Sequence, residues 1–150
     1  VTIGNRVTSI SGSAFGDYDV GFCTGLQSVY FRGDAPEDTW AFYECPATVY
    51  YLPGTIGWGP TFSDRPTAPW VLPNPVILGF GPSFGVRANQ FGFIISWATN
   101  DIPVDVEACV DPTQSAWAPV GNVTLKNGWA YFSDADWANH PARFYRVRSE

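Results

Sequence analysis

Three short runs of β-branched and aromatic residues mark the first third of the chain: Val1-Thr2-Ile3, Val29-Tyr30-Phe31 and Val49-Tyr50-Tyr51. A glycine soon follows each (Gly4, Gly33, Gly54). Between the runs lie Ala14-Phe15 and Ala41-Phe42, and Cys23 and Cys45 each stand a few residues before the next run. The runs begin at Val1, Val29 and Val49, so one unit spans 28 positions and the next 20. A unit that short cannot bury its own apolar side and has to stack on its neighbours. The pattern therefore predicts solenoid-like coils over residues 1–54, with Phe15 over Phe42 and Cys23 near Cys45. The stretch Asp17 to Gly21 reads as an insertion in the first loop.

From residue 55 to 75 the pattern changes. Gly57-Trp58-Gly59-Pro60 and then Pro66, Pro69, Pro73 and Pro75 predict an extended connector that cannot be regular helix. Trp58, Phe62 and Trp70 are too apolar for a free linker and are expected to pin it down.

Residues 76–150 show apolar–polar alternation in short stretches. The predicted strands are Val76–Phe80, Phe84–Arg87, Phe91–Ala98, Val104–Cys109, Asn122–Lys126, Trp129–Phe132 and Arg143–Val147. Asn127-Gly128, between two alternating runs, is the clearest hairpin signal in the chain. About seven short strands in this length fit a two-sheet sandwich of immunoglobulin or fibronectin type III size.

Composition supports a folded, turn-rich chain. Hydrophobic residues are 45% and aromatics 17%, enough for a packed core. Charged residues are 15%, against roughly 25% in typical soluble domains. The surface is thus left to Ser, Thr, Asn, Gly and Pro, as in many extracellular β proteins. With a net charge of −6, the chain lacks the clustered cations that nucleic acid requires. Arg143, Arg146 and Arg148 stand close together, but alternation predicts one cationic face of a strand. No apolar run approaches the ~20 residues of a membrane span. The start at Val1 and the absence of Met predict that this is not a complete primary translation product, any signal peptide having been removed or lying upstream of a cut.

Cys23, Cys45 and Cys109 show neither CxxC nor metal-ligand spacing. They read first as small buried hydrophobes. The alternative is a Cys23–Cys45 disulfide with Cys109 left over.

The first repeat reads Val1-Thr2-Ile3, Val7-Thr8-Ser9-Ile10, Ala14-Phe15 and Cys23-Thr24-Gly25-Leu26-Gln27-Ser28-Val29. In that order the elements resemble the BspA-type leucine-rich repeats of bacterial surface proteins. The second repeat ends Ala47-Thr48-Val49-Tyr50-Tyr51-Leu52-Pro53-Gly54, lacks the Leu after its Cys, and resembles a terminal, capping version. The tail resembles a C-terminal domain found at the end of long secreted bacterial repeat proteins. Phe93-Ile94-Ile95-Ser96-Trp97, Val106-Glu107-Ala108-Cys109, Trp117-Ala118-Pro119-Val120, Tyr131-Phe132-Ser133-Asp134 and the stretch from Ala142 to Ser149 carry that likeness. It implies display or export at the bacterial surface and places Glu150 at or near the natural end. The fold expectation is mainly β: a short leucine-rich-repeat-like solenoid, then an immunoglobulin/fibronectin-like sandwich.

No nucleophile motif accompanies the single histidine, His140, and neither GxGxxG nor a P-loop is present. Asp101 with Asp105, and Asp134 with Asp136, offer carboxylates but no assignable cleft. These read as turn and solvation residues, so no catalytic residue and no cofactor is expected. Asp134 and Asp136 are the best calcium candidates, although the loop lacks the glycine and distal Glu of an EF-hand. Tyr18, Trp40, Trp58, Trp117 and Trp137 are the aromatics that could stack on sugar rings. Asn122-Val123-Thr124 matches a glycosylation acceptor, a pattern common by chance.

The expected role is a non-enzymatic structural or adhesion module, with a carbohydrate-binding module as the alternative. Expected partners are other copies of the chain or cell-surface proteins and glycans. Because the chain opens in a repeat strand, Val1, Thr2 and Ile3 form an unprotected edge. Either the native protein continues upstream, or this edge docks onto another copy, in which case repeated head-to-tail contact would build a filament.

Overall fold

A computed structural model describes residues 1–12, 14–17, 21–37, 40–114 and 116–149. Most of the segment Asp17–Gly21, Tyr18 with it, and Glu150 lie outside the described residues. The chain is mainly β and divides into two compact units, Val1–Trp70 and Val71–Glu150.

The first unit is built on a mostly parallel sheet. β1 (Thr2–Ile3), β4 (Ser28–Phe31), β5 (Thr48–Tyr51) and β7 (Arg65–Pro69) run side by side, and β6 (Thr61–Phe62) closes the far edge antiparallel to β7. Register follows the repeat: Thr2 faces Tyr30, Tyr30 faces Tyr50, and Tyr50 faces Ala68. Alternation then sends Val29, Phe31 and Val49 inward, where all three are at most 1% exposed. Phe42, also fully buried, lies 4.9 Å from the Phe15 ring, as the repeat spacing predicts. Outward, the Tyr30 and Tyr50 rings stack at 5.0 Å, and Trp70 leans on Tyr30 at 4.9 Å. A second stacking point is the parallel bridge between Ser9 and Glu37. Gly33 is needed here, because a Cβ would sit 2.7 Å from the Asn5 backbone. In the first loop, β2 (Gly16–Asp17) and β3 (Gly21–Phe22) form a small antiparallel pair.

Cys23 and Cys45 are joined by a disulfide with Cα atoms 5.2 Å apart, and Cys109 is free and buried. The bond ties the segment leading into β4 to the segment leading into β5, across 22 positions. The reading of all three as plain buried thiols is thereby corrected for two of them. Stacking in register is what brings those two positions within bonding distance.

The proline-rich stretch read as a connector divides between the units. Residues 55–70 belong to the first, and β7 extends its sheet despite Pro66 and Pro69. Donors come from residues that have an N–H: Thr67 to Pro60 O, and Trp70 to Tyr51 O. Ser63 and Asp64, both at positive φ, make the tight turn from β6 to β7. Trp58 and Phe62 pack against Phe31. Residues from Val71 belong to the second unit, where the Trp97 indole N–H donates to Leu72 O at 2.8 Å.

The second unit holds seven strands in two sheets. In one, β10 (Gln90–Ser96) is paired antiparallel with β13 (Trp129–Asp134), β8 (Val76–Leu78) and β9 (Gly85–Arg87). In the other, β11 (Pro103–Cys109) lies between β12 (Ala118–Thr124) and β14 (Phe144–Ser149). Both sheets supply one buried cluster: Phe93, Ile95 and Phe132 from the first, Val104 and Val106 from the second, with Leu125 between strands. Gly121 accommodates the Phe132 ring, whose Cε2 would lie 2.6 Å from an added Cβ. A bulge at Val106/Glu107 shifts the register opposite it.

Asn127-Gly128 does make a tight turn at positive φ, closed by a single bridge from Lys126 to Trp129. The flanking strands do not form the expected hairpin, because β12 pairs with β11 and β13 with β10. Leu125 is the reason: fully buried, it is held by backbone bonds to Ile102 and Asp101, which send β12 and β13 into different sheets.

Candidate functional site

Three features stand out. The first is the β1 edge. Val1 O accepts from Tyr30 N at 2.8 Å and Ile3 O from Arg32 N at 3.0 Å. Strand geometry then turns the Thr2 N–H and C=O to the other side, away from β4. Val1 is 55% exposed, and β1 is the outermost strand of its sheet.

The second is a polar cluster at one end of the second unit. β13 ends on Asp134, a single 3₁₀ turn (Trp137–Asn139) follows, and β14 begins at Phe144. Asp134 is only 7% exposed. Its Oδ1 accepts the Asp136 N–H at 2.8 Å, and its Oδ2 accepts the Tyr145 hydroxyl at 2.9 Å. Arg143 Nε lies 2.7 Å from the same Oδ2 as an ion-pair contact without hydrogen-bond alignment. Asp136 is exposed and collects Asn139 Nδ2 at 2.6 Å, His140 Nε2 at 2.9 Å and Arg143 Nη1 at 3.3 Å. The bond from Asn139, and then that to His140, holds its carboxyl below the usual range. Burial, helped by the bond to Asp134, pushes the Tyr145 phenol above its ordinary value.

Arg143 and His140 border two shallow clefts of about 260 and 270 Å³. Trp137, Phe91 and Tyr145 line the first; Asp136 and Cys109 contribute to the second. The indole N–H of Trp137 donates to Asn89 O at 3.2 Å, which fixes the ring.

The third feature is the outward face of β14. Arg146 donates through Nε to Glu107, Arg148 Nη1 lies 3.5 Å from the same carboxylate, and the Arg146 guanidinium sits 4.5 Å from the Trp117 ring centre. The expected cationic face is thus paired off by Glu107, and Arg143 is not part of it.

The carboxylates singled out in the sequence have separate roles. Asp105 accepts from Asn122 Nδ2 at 2.6 Å, and Asp101 sits at positive φ in a turn. Asp134 has both oxygens on protein donors, leaving little to offer a cation. Among the described residues no group of three or more His, Cys, Asp or Glu side chains is placed to hold a metal ion. Of the flagged aromatics, Trp58 is core packing, Trp40 is 58% exposed beside Tyr43, and Trp137 alone lines a cleft with polar groups. Arg143 and Tyr145 as partners of Asp134 were not foreseen. Their link to it is formed only when β14 returns beside the end of β13.

No helix among the described residues is long and apolar enough to cross a membrane. No protein-family model, curated protein or solved structure matches the chain.

Proposed function

We propose that the chain is a non-enzymatic structural and adhesion module of a bacterial cell-surface protein. In this reading residues 1–70 are a short leucine-rich-repeat-like solenoid and residues 71–150 an immunoglobulin-like sandwich. The observation that carries it is the in-register ladder Thr2–Tyr30–Tyr50–Ala68, in which β1 is the outermost strand among the described residues. Each parallel strand offers its neighbour the same row of donors and acceptors, so the last one offers that row to a partner strand. The partner is another copy of the chain, and repeated contact of this kind extends into a filament. The Cys23–Cys45 disulfide supports an extracellular setting, since such bonds persist under oxidising conditions.

Thr2→Pro tests the edge. It removes the outward N–H and leaves the two carbonyl bonds from β1 to β4 in place. Sedimentation velocity over a wide concentration range should show growing species for the unaltered chain and a fixed small species for Thr2→Pro. A concentration-independent monomer for the unaltered chain, with dispersed particles in negative stain, would refute self-assembly.

A further inference from the structure

We propose that the cleft between Trp137 and the Arg143–His140 pair binds one ring of a neutral glycan. Three properties of the cleft select that ligand class. Its wall is aromatic and apolar, with the half-buried Trp137 beside Phe91 at 6.4 Å between ring centres. An indole face takes up the C–H side of a pyranose as it would any apolar surface. The ring is already held by its bond to Asn89 O, so little freedom is lost on binding.

Next, donors and acceptors meet at the rim. Arg143, ion-paired with Asp134 and Asp136, lines the cleft beside His140, and its guanidinium carries only donors. The His140 imidazole borders the same cleft and adds a further polar position at its rim. Adjacent sugar hydroxyls each donate and accept, and so match such a mixed rim.

Charge then disfavours the acidic ligands. Arg143 is already paired with both Asp134 and Asp136, and the whole chain carries −6. A phosphate, sulfate or uronate would meet net repulsion. Size sets the last limit. About 260 Å³ falls just below the usual range of ligand pockets, which run from about 300 Å³, so one ring enters and the rest of a chain stays outside.

The site lies wholly in the second unit and does not depend on the β1 edge. The fluorescently labelled full chain would be applied to an array of neutral oligosaccharides with sialylated, uronate and sulfated controls. Retention on at least one neutral glycan is expected. It should fall about tenfold or more in Trp137→Ala and in His140→Ala, and stay unchanged in Trp40→Ala and Thr2→Pro. His140→Ala leaves the Trp137–Asn89 bond intact and decides the matter if Trp137→Ala fails to fold. Failure to retain any neutral glycan, preference for acidic ones, or retention indifferent to His140→Ala would each overturn the proposal. Loss of self-association in Thr2→Pro with glycan retention kept would separate this site from the edge.

Discussion

The two units reach a buried core by opposite routes. In the first, strands of two to five residues lie mostly parallel, each beside the next in register, and a disulfide joins the segments leading into β4 and β5. In the second, β10 and β11 are seven residues long, each centres its own antiparallel sheet, and the ends of β13 and β14 are tied by a buried carboxylate with its arginine. A sheet of parallel neighbours repeats one local register from strand to strand. A unit of paired long strands has to be completed by distant segments, and its polar ends must be neutralised within the fold.

The strongest way to break this contrast is Arg143→Ala. It leaves Asp134 buried and without its cation, and should cost the second unit about 3–5 kcal/mol in chemical denaturation. Amides of β4 and β5, followed by hydrogen exchange, should keep their protection. Removing the disulfide as Cys23→Ala/Cys45→Ala probes the other side. Closing 22 positions is worth about 3 kcal/mol, and the loss should appear in β1, β4 and β5 with β10 and β11 unaffected. Equal loss in both units would end the distinction.

A smaller effect comes from Tyr145. The folded chain holds its phenolic proton more tightly than the unfolded chain does, because of burial and then the bond to Asp134. Its contribution is therefore complete below the ordinary value of 10.0 and drains away as pH rises above it. Tyr145→Phe should lose about 1 kcal/mol at neutral pH and flatten the alkaline decline of stability. An unchanged alkaline slope would show that Tyr145 does not cause it. Smallest is Ala88→Gly in the turn between β9 and β10, where Ala88 sits at φ 45°. Glycine there should raise stability by up to about 1 kcal/mol, measured as a higher denaturation midpoint.

Legibility in the sequence follows the same division. The parallel strands were readable because Val29-Tyr30-Phe31 and Val49-Tyr50-Tyr51 repeat one local pattern. The strands of the second unit were also visible in outline, within a few residues at their ends. β7 was hidden by Pro66 and Pro69, since a proline-rich run carries no strand signal of its own. Ser63-Asp64 and Ala88-Asn89 gave little warning of tight turns, because non-glycine residues take positive φ there only when the paired strands require it.

Local alternation and repeat spacing, which follow from side-chain size and backbone period, determined that this chain is rich in short strands and which side of each is buried. Strand pairing was decided in three dimensions. Leu125 takes β12 and β13 to different sheets, and β14 returns to set Arg143 and Tyr145 against Asp134. Such choices rest on burial and on neutralising a buried charge between residues far apart in sequence, and no local pattern encodes them.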